Sequence, residues 1–160
     1  MAILNIIDES DDTLRKKSRE VTEITPRILM LLDDMAETLH KAEGVGLAAV
    51  QVGVLRRVVL VETEPGQLYE LINPVIVKKE GEQREVEGCL SLPGQWGYTC
   101  RPEKVTVEAI NRLGEKIVVT GEGLLARALC HEIDHLDGVL FKDNSPHMLN
   151  KKEIKEYFGK

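Results

Sequence analysis

The stretch His131-Glu132-Ile133-Asp134-His135 decides how this 160-residue chain is read. Residues four apart on an α-helix lie one above the other on the same face. Two imidazoles held that way can grip one divalent metal ion, with the intervening glutamate beside it as a general base. Working outward, the helix is expected from about 124 to 137, with Gly138 placed as its left-handed cap. At about 100° per residue, Leu124, Ala128, His131 and His135 form one stripe. Leu125, Leu129, Ile133 and Leu136 fill a broad neighbouring face, leaving Arg127, Cys130, Asp134 and Asp137 as a narrow polar edge. So little polar surface predicts a buried helix, and histidines buried there need partners.

Upstream, Thr25 followed by Pro26 reads as an N-cap with proline in the first turn. Ile28, Leu32, Met35 and Leu39 then recur at helical spacing, and Gly44 is placed to end a helix over 26–42. That stripe reads as core. Short β-branched runs at 57–62 and 71–77 predict strands. Alternation over 105–110, the turn Asn111-Arg112-Leu113-Gly114 and the run 116–120 predict a hairpin. Helix, then strands, then helix points to an α+β fold, with antiparallel sheets packed around the buried metal-binding helix. No repeat or linker divides the sequence, so residues 1–160 are expected to form one domain.

Composition sets outer bounds. Hydrophobic residues at 42% and charged ones at 30% are those of an ordinary globular protein. A formal charge of -6 argues against a surface built broadly for nucleic acid. No basic n-region and apolar h-region open the chain, and no apolar run approaches 18 residues. Three cysteines, Cys89, Cys100 and Cys130, have no framework spacing and suit a reducing cytoplasm. Cys100 and Cys130 are expected as free buried thiols.

A catalytic metal site usually needs a third protein ligand and one open position. His40, His147, a carboxylate or a cysteine could supply it. A metzincin-type extension fails, because Phe141 stands where its third histidine belongs. Glu153 and Glu156 lie in a charged tail and read as a solvated helix face; His40, near the end of the first helix, reads as a surface residue.

Two further stretches frame the metal helix: Gly44-Val45-Gly46-Leu47-Ala48-Ala49-Val50-Gln51 and Glu87-Gly88-Cys89-Leu90-Ser91. G-x-G-x-A-A-x-Q, E-G-C-L-S and H-E-x-D-H, in this order and spacing, resemble the three motifs of the peptide deformylases over nearly the whole chain. The resemblance implies a metal-dependent hydrolase that removes the formyl group from the N-terminal methionine of newly made polypeptides, releasing formate. It implies Cys89, His131 and His135 as ligands, with Glu132 taking a proton from the attacking water. Gln51 and the backbone N–H of Leu90 would steady the tetrahedral oxyanion. Gly44, Val45, Gly46 and Leu90 would line the substrate cleft. The family typically works with Fe²⁺, while Ni²⁺, Co²⁺ or Zn²⁺ can substitute; a thiolate ligand suits such metals. The ribosome is an implied partner, although the tail from Asn150 has only a mild basic bias.

Departures from the family pattern touch packing more than chemistry. Ser10-Asp11-Asp12-Thr13-Leu14-Arg15 stands for G-D-P-x-L-R, Val50 for a proline, and Cys130 for a glutamine. Gly44 to Ala49 also satisfies G-x-G-x-x-A literally, but these glycines follow a helix instead of a strand, which is the wrong context for a dinucleotide. A zincin peptidase and a catalytically silent formyl-peptide binder are the rival readings. Beyond the ligands, Glu87 is expected to orient a metal-bound histidine, and Asp134 is expected to pair with Arg101 or Arg127. Trp96, the only tryptophan, is either a sheet aromatic or a flank of the peptide groove.

Overall fold

The computed structural model describes residues 2–159 and has an α+β architecture. Helix α1 spans Pro26–Lys41, α2 spans Leu124–Leu136 and α3 spans Lys151–Phe158. The strands are β1 (Gly46–Ala48), β2 (Val58–Val61), β3 (Tyr69–Glu80), β4 (Gln83–Cys89), β5 (Leu92–Arg101), β6 (Lys104–Ile110), β7 (Lys116–Glu122) and β8 (His147–Met148). They form two antiparallel sheets, ordered β1-β2-β3-β6-β7 and β4-β5-β8.

Strand β2 shows why both long helices are needed. Its four residues are all buried, which a strand achieves only when both faces of its sheet are covered. Val59 and Val61 point to the core under α2, with Leu129, Ile133 and Leu136. Val58 and Leu60 point the other way, to Leu32, Met35 and Leu39 of α1. Helix α2 is thus sealed against the large sheet and holds its histidines rigidly. Burying that apolar surface is the main force that fixes it.

The caps follow local chemistry. Thr25 accepts the Ile28 N–H at 3.3 Å at the start of α1. At its end the left-handed residue is Glu43 (φ 55), not Gly44 as the glycine's position suggests. Glu43 N–H bonds to His40 O and Gly44 N–H to Leu39 O, closing a Schellman turn. Gly44 is required for space instead: a Cβ there would lie 2.9 Å from a Leu90 methyl. Gly138 (φ 74) takes the left-handed cap position after α2.

The sequence reading omitted β4, β5 and the small sheet they build. It also expected Cys100 to be buried, and the thiol is exposed. On β5 the side chains of Thr99 and Arg101 turn inward, so alternation sends Cys100 to solvent. Cys130 is buried in the core between α2 and the large sheet, where desolvation pushes its thiol up to about 11. It therefore does not belong to a solvated polar edge. Among the described residues, no helix is long and apolar enough to cross a membrane.

Candidate metal centre

Helix α2 delivers His131 and His135 on one face, and the β4–β5 hairpin brings Cys89 to them. Cys89 closes β4 opposite Leu92, with Leu90 and Ser91 as the turn. The thiol Sγ lies 3.3 Å from His135 Nε2, and the ligand atoms of Cys89, His131 and His135 all lie within 4.8 Å of one another. Tetrahedral coordination by sulfur and nitrogen requires a separation of about 3.5 Å.

The second nitrogen of His131 is already committed. Its Nδ1–H donates to Glu87 Oε1 at 2.9 Å, which leaves Nε2 for the side facing Cys89. Glu87 is itself gripped at both oxygens. Arg101 donates from Nε and Nη2 at 3.0 Å each, and the Thr99 hydroxyl adds a third bond. Arg101 also reaches Asp134 at 2.7 Å. Between the two partners open to Asp134, the fold selects Arg101. Phe141, buried to 1% exposure, stacks on the His131 ring at 6.0 Å.

Electrostatics favour a cation here. Burial pushes His131 down, but Glu132, Cys89 and Glu87 outweigh it and raise the imidazole well above its ordinary value. His135 is held well below its ordinary value by burial and by the charges of His131 and Arg101, so it stays a neutral donor. Glu132 rises to about 7, chiefly through burial, and its Oε1 has no protein hydrogen-bond partner. A carboxylate tuned near neutrality is suited to exchange protons at working pH. Two imidazoles and a thiol whose ligand atoms converge, with the other nitrogen of His131 held by Glu87, fit a divalent ion.

Gln51, in the single helical turn Ala49–Val52, is oriented by the backbone. Its Oε1 accepts the Ala48 N–H at 2.9 Å, which turns Nε2 toward Ser91 Oγ (3.1 Å) and Cys89 Sγ (3.6 Å). Gly46 on β1 lies directly against Glu132. These groups open onto a cleft of about 470 Å³ whose walls include Gly44, Val45, Leu90, Trp96 and Arg127. Trp96 covers Gly88, the residue before Cys89, and meets Phe158 of α3 edge-on at 4.8 Å.

The alternatives for a third ligand lie elsewhere. His40 pairs with Glu62 at 2.7 Å, and His147 with Glu153 at 2.7 Å. Glu156 sits exposed on α3. Ser91, Thr99 and Phe141 were given no site role from the sequence. Only Ser91 carried a signal, through its place in E-G-C-L-S beside the cysteine.

Fold and site together define a protein with a three-residue group able to hold one metal ion beside an open cleft. Comparison with known proteins narrows the class. Residues 3–151 match the family described as polypeptide deformylase. The chain is 57% identical over 154 residues to a peptide deformylase of Acetivibrio thermocellus, covering 96% of this chain and 90% of that one. It is 53% identical over 161 residues to one from Thermoanaerobacter sp., covering 99% and 96%. The crystal structure of a peptide deformylase from Legionella pneumophila superposes with a TM-score of 0.86 at 37% identity, covering 98% of this chain and 96% of that one. A Synechococcus elongatus peptide deformylase in complex with actinonin gives 0.86 at 35% identity, covering 98% and 84%.

The chain belongs to the polypeptide deformylase family. It is an enzyme of that kind, a hydrolase that removes the N-formyl group from nascent polypeptides. The family is one of metalloenzymes, and Cys89, His131 and His135 form a group able to hold a metal ion.

Proposed function

We propose that Cys89, His131 and His135 hold one divalent ion, most naturally Fe²⁺ with Ni²⁺, Co²⁺ or Zn²⁺ as substitutes. Residues 1–160 then act as a single catalytic domain on formyl-methionyl peptides. The observation that carries this reading is the meeting of Cys89 Sγ with both imidazoles of α2, beside a buried Glu132. When bound, the ion supplies Lewis acidity toward water and the formyl carbonyl.

The chain's own groups do the rest. Glu132 accepts the proton of the attacking water and returns it to the departing nitrogen, so formate and a free amine leave. Gln51, its carbonyl pinned by Ala48, donates from Nε2 to the oxyanion, and the Leu90 N–H donates from the other side. Gly46, without a side chain, lets the peptide backbone approach Glu132. Gly44, Val45 and Leu90 line the methionine end of the cleft. Glu87 fixes the tautomer and tilt of His131. The substrate places the enzyme near the ribosome in the cytoplasm, where nascent chains emerge.

Formate release from formyl-Met-Ala-Ser by protein loaded with Fe²⁺, Ni²⁺ or Zn²⁺ tests the reading. Turnover that tracks bound metal supports it. Metal bound without turnover would favour a silent binding protein.

A further inference from the structure

Helix α2 brings a second kind of group to the cleft. Arg127 stands four residues before His131, one turn away on the same face. The sequence wheel placed it on a polar edge with Asp134, but the fold turns it into the cleft wall. Its Nε is buried with no protein hydrogen-bond partner. Among the described residues, no carboxylate lies within ion-pair distance of its guanidinium.

Arg101, the other arginine of this region, is fully engaged by Glu87 and Asp134. Apart from Cys89 and His131 of the proposed metal group, the remaining titratable groups of the cleft wall are carboxylates. Glu87 is neutralised by Arg101, Glu132 sits at the reacting end, and Glu43 is exposed on the loop after α1. Arg127 is therefore the cation of this wall left for a visitor. A planar guanidinium with five donors pairs best with a carboxylate. Leaving its buried donor unmatched costs free energy that a bound acidic group would remove.

We infer that Arg127 is a specificity residue that favours an acidic side chain on one of the two residues following the formyl-methionine. This rests on the cleft being the peptide site proposed above. The pairing acts on binding of the peptide and not on the reacting atoms, so it changes KM more than kcat.

The test compares formyl-Met-Asp-Ser with formyl-Met-Asn-Ser, and formyl-Met-Ala-Asp with formyl-Met-Ala-Asn, on metal-loaded enzyme. Asp and Asn match in shape, so only charge differs. At one of the two positions Asp is favoured about three- to fivefold in kcat/KM, the upper range of a partly exposed ion pair. In Arg127→Gln that ratio falls below about twofold, and in Arg127→Lys part of it returns. Each ratio is taken within one protein, so a general loss of folding or metal cancels. Equal use of Asp and Asn peptides at both positions overturns the inference, as does a preference that survives Arg127→Gln. Turnover of the Asn peptides without an Asp preference leaves the deformylase site intact and defeats only the role of Arg127. Absence of turnover on all four would defeat both.

Discussion

Gly46 and Glu132 are in direct contact across the cleft floor: a Cβ on Gly46 would stand 2.5 Å from Glu132 Oε2. The edge strand β1 thereby sets where Glu132, the proposed general base, can lie. Gly46→Ala asks little of the backbone but forces the carboxylate aside. A displacement near 1 Å can cost about 10²-fold in rate. We expect kcat to fall by that order with metal content unchanged, measured by formate release beside metal analysis. A variant with near-normal kcat would show that Glu132 has room to spare.

Cys89→Ala leaves two imidazoles, a poor site for a divalent ion. The purified variant should lose tightly bound metal while its helices persist by circular dichroism. Stoichiometric metal retained after dialysis would require another third ligand, and His40 and His147 are already paired with glutamates.

The metal helix, α1, the β6–β7 hairpin and the α+β class were legible in the sequence because each follows a strong period. Helix α2 ends within one residue of its expected limit. Strands β4 and β5 were not, since Gln83–Arg101 alternates weakly and is interrupted by Gly88, Pro93, Gly94 and Gly97. Their place in the fold is marked by long-range contacts: Thr99 and Arg101 reach Glu87, and Glu87 reaches His131. Motif spacing found the candidate ligands, but the partners that hold them sit on strands no local pattern announced. Arg127 was misplaced for a related reason, because a wheel gives direction around a helix and not what lies opposite.

Arg101 on β5 ties Glu87 of β4 to Asp134 of α2, and all but Asp134 are buried in this network. Arg101→Met strands Glu87 as a buried charge, so the variant should lose about 3–5 kcal/mol of stability. Urea unfolding of the metal-free protein measures it. The pH dependence follows from Glu87. Burial pushes its carboxyl up, but hydrogen bonds from His131 and Arg101 and their charges outweigh burial and hold it at about 2, against an ordinary 4.5. A depressed acid stabilises the fold fully above its ordinary value and loses that contribution as pH falls through 4.5 toward 2. The loss amounts to roughly 3 kcal/mol. Arg101→Met should show a shallower decline over that window; an equal slope would remove Glu87 as its source.

Trp96 rests on Gly88 beside the proposed ligand and forms part of the cleft wall. It is the only tryptophan, so its fluorescence reports on the site directly. A non-hydrolysable hydroxamate peptide should change that emission saturably, and Trp96→Ala should raise KM several-fold while metal content holds. A flat titration with unchanged KM would leave Trp96 as a sheet aromatic that supports α3 through Phe158.

Glu132→Gln tests the central claim most directly. The change keeps the helix, both imidazoles and nearly the same shape, and removes only the carboxylate proposed to take the water's proton. Metal content and formate release are measured on the same preparation. The account predicts a full complement of metal with turnover lowered at least ~10²–10⁴-fold. Near-normal turnover by the metal-loaded variant would contradict it.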